Sequence, residues 1–142
     1  MNLTIATIAK QINASFEGDA SLLIDAISID SRSLQNGPHT LFFALIGPNN
    51  DAHSYIIDLI QQGVTHFVVQ YIPEDCVGKA HFLVVQNTLA ALQELASYHR
   101  SLFHFPVIGV TGSNGQTIVK EWLNFLLSPD YSIIRSHKSY NS

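Results

Sequence analysis

The stretch "LFFALIGPNNDAHSYIIDLIQQ", residues 41–62, indicates the fold class. Its first six residues are a short apolar run that ends at Gly47-Pro48, which is typical of a strand buried on both faces. Asp51 can cap a helix that runs to about Gln62, and Gly63 can end it. The helical spacing turns four apolar side chains inward: Ile56, Ile57, Leu59 and Ile60. A buried strand followed directly by a helix predicts an α/β domain.

The segments on either side continue this alternation. The spacing of apolar residues predicts a helix over residues 4–12 and a strand over residues 23–30, and Asn36-Gly37-Pro38 predicts a turn. Two apolar runs, residues 66–70 and 81–85, predict buried strands. Asn87 or Thr88 can cap a further helix to about Arg100. The predicted inward face of that helix is Leu89, Leu92, Leu95 and Ala96.

A second unit begins at Phe105-Pro106. Residues 107–110 predict a strand, a glycine-rich loop follows, residues 117–127 predict a helix, and residues 131–135 predict a strand. The predicted inward face of this helix is Ile118, Trp122, Phe125 and Leu126. Such a unit opens a doubly wound sheet but cannot cover both faces of it. We therefore expect a complete domain over residues 1–104, the truncated start of a second over residues 105–142, and a longer parent protein.

Composition excludes several classes of protein. The 142 residues are 46% apolar and 13% charged, which supports a packed core, and the net charge of −4 without a Lys/Arg cluster argues against a nucleic-acid surface. No signal sequence or long apolar span is visible. Cys76 is the only cysteine, and the neighbouring Glu74-Asp75 carboxylates would raise its pKa, which argues against a nucleophile. We expect a soluble cytoplasmic protein without membrane insertion.

The loop "GVTGSNGQT", residues 109–117, has the strand-to-helix context of a phosphate-binding loop. Glycines allow close approach of the backbone, and the N–H groups and helix dipole favour an anion. The strict pattern fails twice, because Val110 occupies the first glycine position and Gln116 replaces the lysine. The alternative is a glycine-rich connection that binds no ligand.

Two motifs together resemble one family, the Mur ligases, which are the ATP-dependent amide-forming ligases of peptidoglycan precursor synthesis. The first motif is Asp30-Ser31-Arg32 with the run 41–47 and Asp51-Ala52-His53-Ser54-Tyr55, and the second is the loop at residues 107–117. The loop followed by Val119-Lys120-Glu121 is most similar to the MurF type, which joins D-Ala-D-Ala to UDP-MurNAc-tripeptide. The tail resembles the Bacteroidetes-type ligase that is fused to an alanine racemase.

The resemblance implies a site for the UDP part of the substrate in the first domain. It assigns contacts in that site to Ser31, Arg32, Gly47, Asp51 and His53, and it assigns a contact with the muramoyl part of the substrate to Asn141, in the second unit. Alternatives stay open for three of these residues. Asp51 can be only a helix cap, Arg32 can pair only with Asp30, and His53 can be structural.

The resemblance also implies that the second domain binds ATP and Mg²⁺. The assigned residues are Thr111, Gly112, Ser113, Asn114, Gly115, Gln116 and Thr117, with the Thr117 hydroxyl as the metal ligand. The family reaction forms an acyl phosphate on the tripeptide, which the amine of D-Ala-D-Ala then attacks. Gln116 carries no charge, so we expect a rate loss of about 10²–10³-fold relative to lysine.

We expect the 142-residue chain alone not to ligate. Two other interpretations stay open. One is a stand-alone nucleotide-sugar binding module with a degenerate loop, which Gln116 favours. The other is the sister ligase that adds the third peptide residue, against which Ser113 and Lys120-Glu121 argue.

Overall fold

The computed structural model describes residues 1–32 and 37–137. The chain divides into two compact units, Met1–Phe103 and His104–Ser142.

A four-stranded parallel sheet forms the centre of the first unit. Its strands are β3 (Ala26–Ser28), β4 (Thr40–Phe43), β5 (His66–Val69) and β6 (His81–Val84), in the order β3-β4-β5-β6. All four residues of β4 and all four of β5 are buried, as expected for central parallel strands covered on both faces. A small antiparallel pair, β1 (Leu3–Thr4) and β2 (Leu23–Ile24), lies outside this sheet.

Helices cover both faces of the sheet. One core cluster joins residues of α1 (Ile5–Gln11) and α3 (Thr88–Ser101) to one set of strand residues, and α2 (Ile56–Gln61) belongs to a second cluster. Phe43 lies in the first cluster and its neighbour Phe42 in the second, because successive strand residues point to opposite faces. The mixed α/β architecture with a parallel sheet confirms the predicted fold class.

Three predicted details of this unit are wrong. The single strand over 23–30 is two strands, β2 and β3, which pair in different sheets on either side of Asp25. The helix after Asp51 begins as a 3₁₀ turn, Ala52–Tyr55, before α2. In α3, Leu89 and Ala96 are exposed, and the packed side is Thr88, Ala91, Leu92 and Leu95. That side keeps a spacing of three and four residues, so the predicted face was rotated by about one position.

The second unit contains one regular element, α4 (Gln116–Leu127), among its described residues. The strands predicted at residues 107–110 and 131–135 are not formed. The side of α4 that was predicted to point inward is exposed, with Ile118 at 58%, Trp122 at 68% and Phe125 at 78%. Strands and apolar helix faces need partners, and the described part of this unit supplies no sheet for either. Polar contacts join α4 to the segment after it, from Lys120 Nζ to the Ser136 carbonyl (2.7 Å) and from Arg135 to Glu121.

Within the described residues, no helix combines the length and the apolar character needed to cross a membrane.

Candidate functional site

The predicted substrate residues of the first unit all follow strands at one edge of the sheet. The strands are parallel, so the segments that follow β3, β4, β5 and β6 all leave from the carboxyl edge. Ser31 and Arg32 follow β3, and the segment with Gly47, Asp51 and His53 follows β4, the adjacent strand. Ligands of open α/β sheets bind at this kind of edge.

Arg32 is paired with Asp30 and still faces solvent. Its Nε lies 3.0 Å from Asp30 Oδ1 and its Nη2 lies 3.1 Å from Oδ2, while its side chain is 87% exposed. Hydrogen bonds from Arg32 lower the pKa of Asp30, and the same pair raises the pKa of Arg32, with a smaller contribution from Tyr55. A guanidinium has five N–H donors, so the pair leaves part of the fork for an anion. The proposed pairing of Arg32 with Asp30 is therefore present.

The loop after β4 has a defined shape. Gly47 N–H donates to the Asn50 carbonyl (2.7 Å), and Ala52 N–H donates to the Leu45 carbonyl (3.0 Å). The Tyr55 hydroxyl donates to Asn50 Oδ1 (2.9 Å), which ties the first helical turn back to the loop. These bonds fix the shape of the loop and tie it to the chain just after β4.

Asp51 caps the turn, as one of the two predicted roles requires, and it also anchors two rings. Its Oδ1 accepts from the backbone N–H of His53 (3.0 Å) and lies 2.7 Å from His53 Nδ1. Its Oδ2 accepts from the Tyr71 hydroxyl (2.7 Å). Burial raises the pKa of Asp51, but the hydrogen bonds from Tyr71 and His53 outweigh it and hold that pKa below its usual value.

His53 is a buried structural residue in this network. Its side chain is 1% exposed, and its Nε2 accepts from the backbone N–H of Gln70 (3.0 Å). Nε2 is therefore the acceptor, and Nδ1 carries the proton that is donated to Asp51. Both ring nitrogens form hydrogen bonds within the chain, so His53 holds Asp51 and Gln70 in place at the carboxyl edge.

Sequence reasoning missed Tyr71 and Gln70. The Tyr71 ring stacks on His53, with centroids 4.2 Å apart and planes 10° apart, and its hydrogen bond to Asp51 raises the pKa of its hydroxyl. Gln70 Oε1 accepts from the Thr88 N–H (3.2 Å) at the start of α3. Gln70 ends the predicted strand 66–70 and Tyr71 follows it directly, so their place at the carboxyl end of a parallel strand was the signal available.

Thr88 closes the network. It is 1% exposed, and its hydroxyl donates to the Ala44 carbonyl (2.8 Å), next to the end of β4. The chain of contacts thus runs from the loop after β4, through the end of β5, to α3 and back to β4. These hydrogen bonds connect the loop after β4, the end of β5 and the start of α3 into one network.

A depression of about 150 Å³ opens beside this network. Its walls include the carboxylates Asp51 and Asp75, the rings of His53 and Tyr71, and the side chains of Ser54, Ile57 and Pro73. Cys76, next to Asp75, is 1% exposed, and burial first and the Asp75 carboxylate second raise its pKa to about 11. Cys76 is therefore a core residue, which agrees with the prediction that it is not a nucleophile.

The second unit places the predicted loop at the start of α4. Gly115 is the N-terminal cap residue with φ of 75°, a left-handed backbone that favours glycine, and it supplies no side-chain cap. A helix start without a side-chain cap suits an anion held by backbone N–H groups. The side chains of the loop suit a phosphate less well, because residues 109–117 include no Lys or Arg.

Thr117 lies in the first turn of α4, and no cluster of three or more metal-ligating side chains exists in the described parts of the chain. Asn141, the remaining predicted contact, lies outside the described residues.

No family model matches the chain. Curated relatives do match it. A UDP-N-acetylmuramoyl-tripeptide–D-alanyl-D-alanine ligase of Synechocystis is 38% identical over 121 residues, which are 84% of this chain and 26% of the relative. The ligase of the same name from Buchnera aphidicola is 34% identical over 124 residues, 86% of this chain and 26% of the relative. The chain thus spans about a quarter of the length of these relatives.

A relative with another name also matches. A UDP-N-acetylmuramoyl-L-alanyl-D-glutamate–2,6-diaminopimelate ligase of Bacteroides thetaiotaomicron is 35% identical over 104 residues, 72% of this chain and 21% of the relative.

Solved structures agree with the sequence comparison. A UDP-N-acetylmuramoylalanyl-D-glutamyl-2,6-diaminopimelate–D-alanyl-D-alanyl ligase of Acinetobacter baumannii superposes with a TM-score of 0.79 at 27% identity, over 92% of this chain and 29% of that one. A MurF ligase of Thermotoga maritima, solved in complex with ADP, gives a TM-score of 0.64 at 27% identity, over 77% of this chain and 24% of that one.

Proposed function

From the premise that this chain is similar to about a quarter of the length of MurF-type ligases, we propose that it is the amino-terminal part of such a ligase and that the whole protein joins D-Ala-D-Ala to UDP-MurNAc-tripeptide with ATP. The reaction is part of peptidoglycan precursor synthesis in the cytoplasm. The two compact units of this chain then have different tasks, and each task follows from the residues described above.

The first unit binds the UDP part of the substrate at the carboxyl edge of its sheet. The observation that carries this proposal is that the two segments of the first motif follow adjacent strands. Ser31 and Arg32 follow β3, and the segment with Gly47, Asp51 and His53 follows β4. Arg32 offers the remaining donors of its fork to the diphosphate, and the Ser31 hydroxyl adds one more. Gly47 keeps the loop close to the backbone of Asn50, and Asp51 and His53 hold that loop in shape.

The second unit contributes the start of an ATP site. Backbone N–H groups of residues 112–116 would surround the phosphates, and the Thr117 hydroxyl would hold Mg²⁺. The neighbour solved with ADP supports a nucleotide in this type of protein. Gln116 donates a hydrogen bond without charge, so this chain binds ATP mainly through its backbone and with lower affinity than a loop with lysine.

The sister ligase is the second candidate, because a relative named as a 2,6-diaminopimelate ligase also matches this chain. That enzyme and the proposed one differ in the peptide attached to UDP-MurNAc. The nucleotide is shared, so the proposed UDP site serves both candidates. The peptide length that the full-length protein accepts discriminates between them.

Calorimetric titration of this chain with UDP-MurNAc-tripeptide and with UMP tests the first unit. We expect both to bind, and Arg32→Ala to weaken UDP-MurNAc-tripeptide by about tenfold, because charge-assisted hydrogen bonds to the diphosphate are lost. Arg100→Ala is the matched control, since Arg100 is an exposed arginine near the end of α3, about 18 Å along the helix from Thr88 at the carboxyl edge. Wild-type chain that binds neither ligand would contradict the proposal.

Activity is tested with the full-length protein, by phosphate release with D-Ala-D-Ala and each nucleotide peptide. Turnover with the tripeptide supports the proposal, and turnover of the dipeptide with a diamino acid supports the sister ligase. Binding of uridine ligands without any ligation would support the nucleotide-sugar module. The resemblance of the tail to racemase-fused ligases, and the contact from Asn141, stay predictions.

A further inference from the structure

We propose that Tyr71 is the residue on which the uracil base of the substrate stacks. This inference rests on the proposed function, because it takes the uridine nucleotide as the ligand. It adds a residue that lies outside both motifs and assigns Asp51 and His53 a positioning role for it.

Tyr71 is held in one orientation by contacts with His53 and Asp51. One face of its ring lies on His53, with 4.2 Å between centroids, and its hydroxyl is bonded to Asp51 Oδ2 at 2.7 Å. The residue nevertheless keeps 48% of its surface exposed. An aromatic ring that is fixed on one side and open on the other offers a planar ligand a stacking surface at little entropic cost.

His53 and Asp51, which hold the Tyr71 ring, are themselves held by hydrogen bonds. His53 is bonded through both ring nitrogens, to Asp51 and to the Gln70 N–H. The loop that carries Asp51 is closed by the bond from Ala52 N–H to the Leu45 carbonyl. The position of the Tyr71 ring is therefore set by the ends of β4 and β5.

The charge of the adjoining depression distinguishes the base from the diphosphate. Two of its lining residues, Asp51 and Asp75, are carboxylates, and none is Lys or Arg. Such a wall repels phosphate and accepts hydrogen bonds from N–H donors. Uracil is neutral and planar and carries an N–H between two carbonyls, and a space of about 150 Å³ suits one six-membered ring.

The position of Arg32 fits the other end of the nucleotide. Arg32 follows β3 and Tyr71 follows β5, with β4 between them. At about 4.8 Å per strand, the ends of β3 and β5 are about 10 Å apart, which is the reach of a nucleotide from base to diphosphate. With the base at the end of β5 and the diphosphate at the end of β3, the base lies on Tyr71 and the diphosphate lies near Arg32.

The test is proton NMR of UMP titrated with the 142-residue chain. In the wild type we expect the H5 and H6 signals of uracil to move upfield, which is the ring-current signature of stacking. Tyr71→Leu should abolish that shift and weaken UMP about tenfold or more, while Tyr71→Phe should retain it. Tyr131→Leu is the control, since Tyr131 is an exposed tyrosine of the second unit.

Ribose 5-phosphate, which lacks the base, serves as the second ligand. Its affinity should be the same for wild type and Tyr71→Leu. UMP that binds folded Tyr71→Leu with wild-type affinity and with the upfield shifts intact would overturn the role of Tyr71 and leave the proposed function standing. Wild-type chain that does not bind UMP at all would overturn both.

Discussion

Acidification from about pH 7 to about pH 5 should destabilise the first unit by about 2 kcal/mol through one histidine, His66. His66 begins β5, is 6% exposed and stacks on His81 of β6 with 4.7 Å between ring centroids. Burial first and repulsion by His81 second lower its pKa from 6.5 to about 4, although Asp19 acts in the opposite direction. Phe16 and the Thr65 hydroxyl complete its surroundings.

The sign follows from proton binding. At pH 5 the unfolded chain, with a histidine pKa of 6.5, is almost fully protonated at this site, whereas the folded chain, with a pKa of about 4, is about one-tenth protonated. The unfolded state binds more protons, so stability is fully present above pH 6.5 and falls as the pH drops towards 4. The ratio of the two protonation equilibria at pH 5 gives the figure of about 2 kcal/mol.

The assay is urea unfolding at the two pH values, followed by NMR signals of the amides of β5. The single tryptophan, Trp122, belongs to the second unit and would report on the wrong part of the chain. His66→Phe keeps a flat ring against Phe16 but cannot titrate, so its stability should fall by about 2 kcal/mol less than that of the wild type. His99→Phe, in α3, is the control and should keep the wild-type dependence. Equal losses in wild type and His66→Phe would refute the reasoning.

Four further predictions concern single side chains. Thr88→Val should lower the free energy of unfolding by about 1–3 kcal/mol, measured by urea unfolding, because the buried Ala44 carbonyl loses its donor; an unchanged midpoint would contradict this. Asn87→Ala should cost about 1 kcal/mol in the same assay through loss of the α3 cap, with far-ultraviolet circular dichroism to show that the fold persists. Gln116→Lys should tighten ATP binding about tenfold or more by calorimetry, whereas Gln116→Met should not. Cys76 should react with a thiol reagent only after unfolding in urea, and rapid reaction of the native protein would show that the thiol is accessible.

The spacing of apolar residues was sufficient to predict most helices and strands of the first unit, because these elements cover one another. The run at residues 41–46 and the helix after Asp51 lie in one layered structure, so apolar patterning and burial agree. The errors occur where strand pairing or helix packing, which the local pattern does not determine, sets the structure. Asp25 separates two strands that belong to different sheets, and Leu89 is exposed although its spacing suits the packed side of α3.

The motif segments were located from the sequence, but the network that holds them was not. The pairing of Asp30 with Arg32 and the cap at Asp51 are local, so the sequence could suggest both. The contacts of His53 with Gln70 and Tyr71 join residues about 17–18 positions apart and depend on the register of β4 and β5. Spacing along the chain contains no such information, because it arises only when the strands pair.

The two units differ in how much of their proposed chemistry is already in place. Around the carboxyl edge of the first unit, the loop after β4, the ring of Tyr71 and the start of α3 are fixed by hydrogen bonds within residues 44–88. In the second unit, α4 exposes its apolar side, and the loop before it has backbone geometry for an anion without a cation. A preformed site loses less free energy on ordering when its ligand arrives. The chain should therefore bind UMP more tightly than ATP, and the reverse order would show that backbone geometry at Gly115 outweighs the preformed edge.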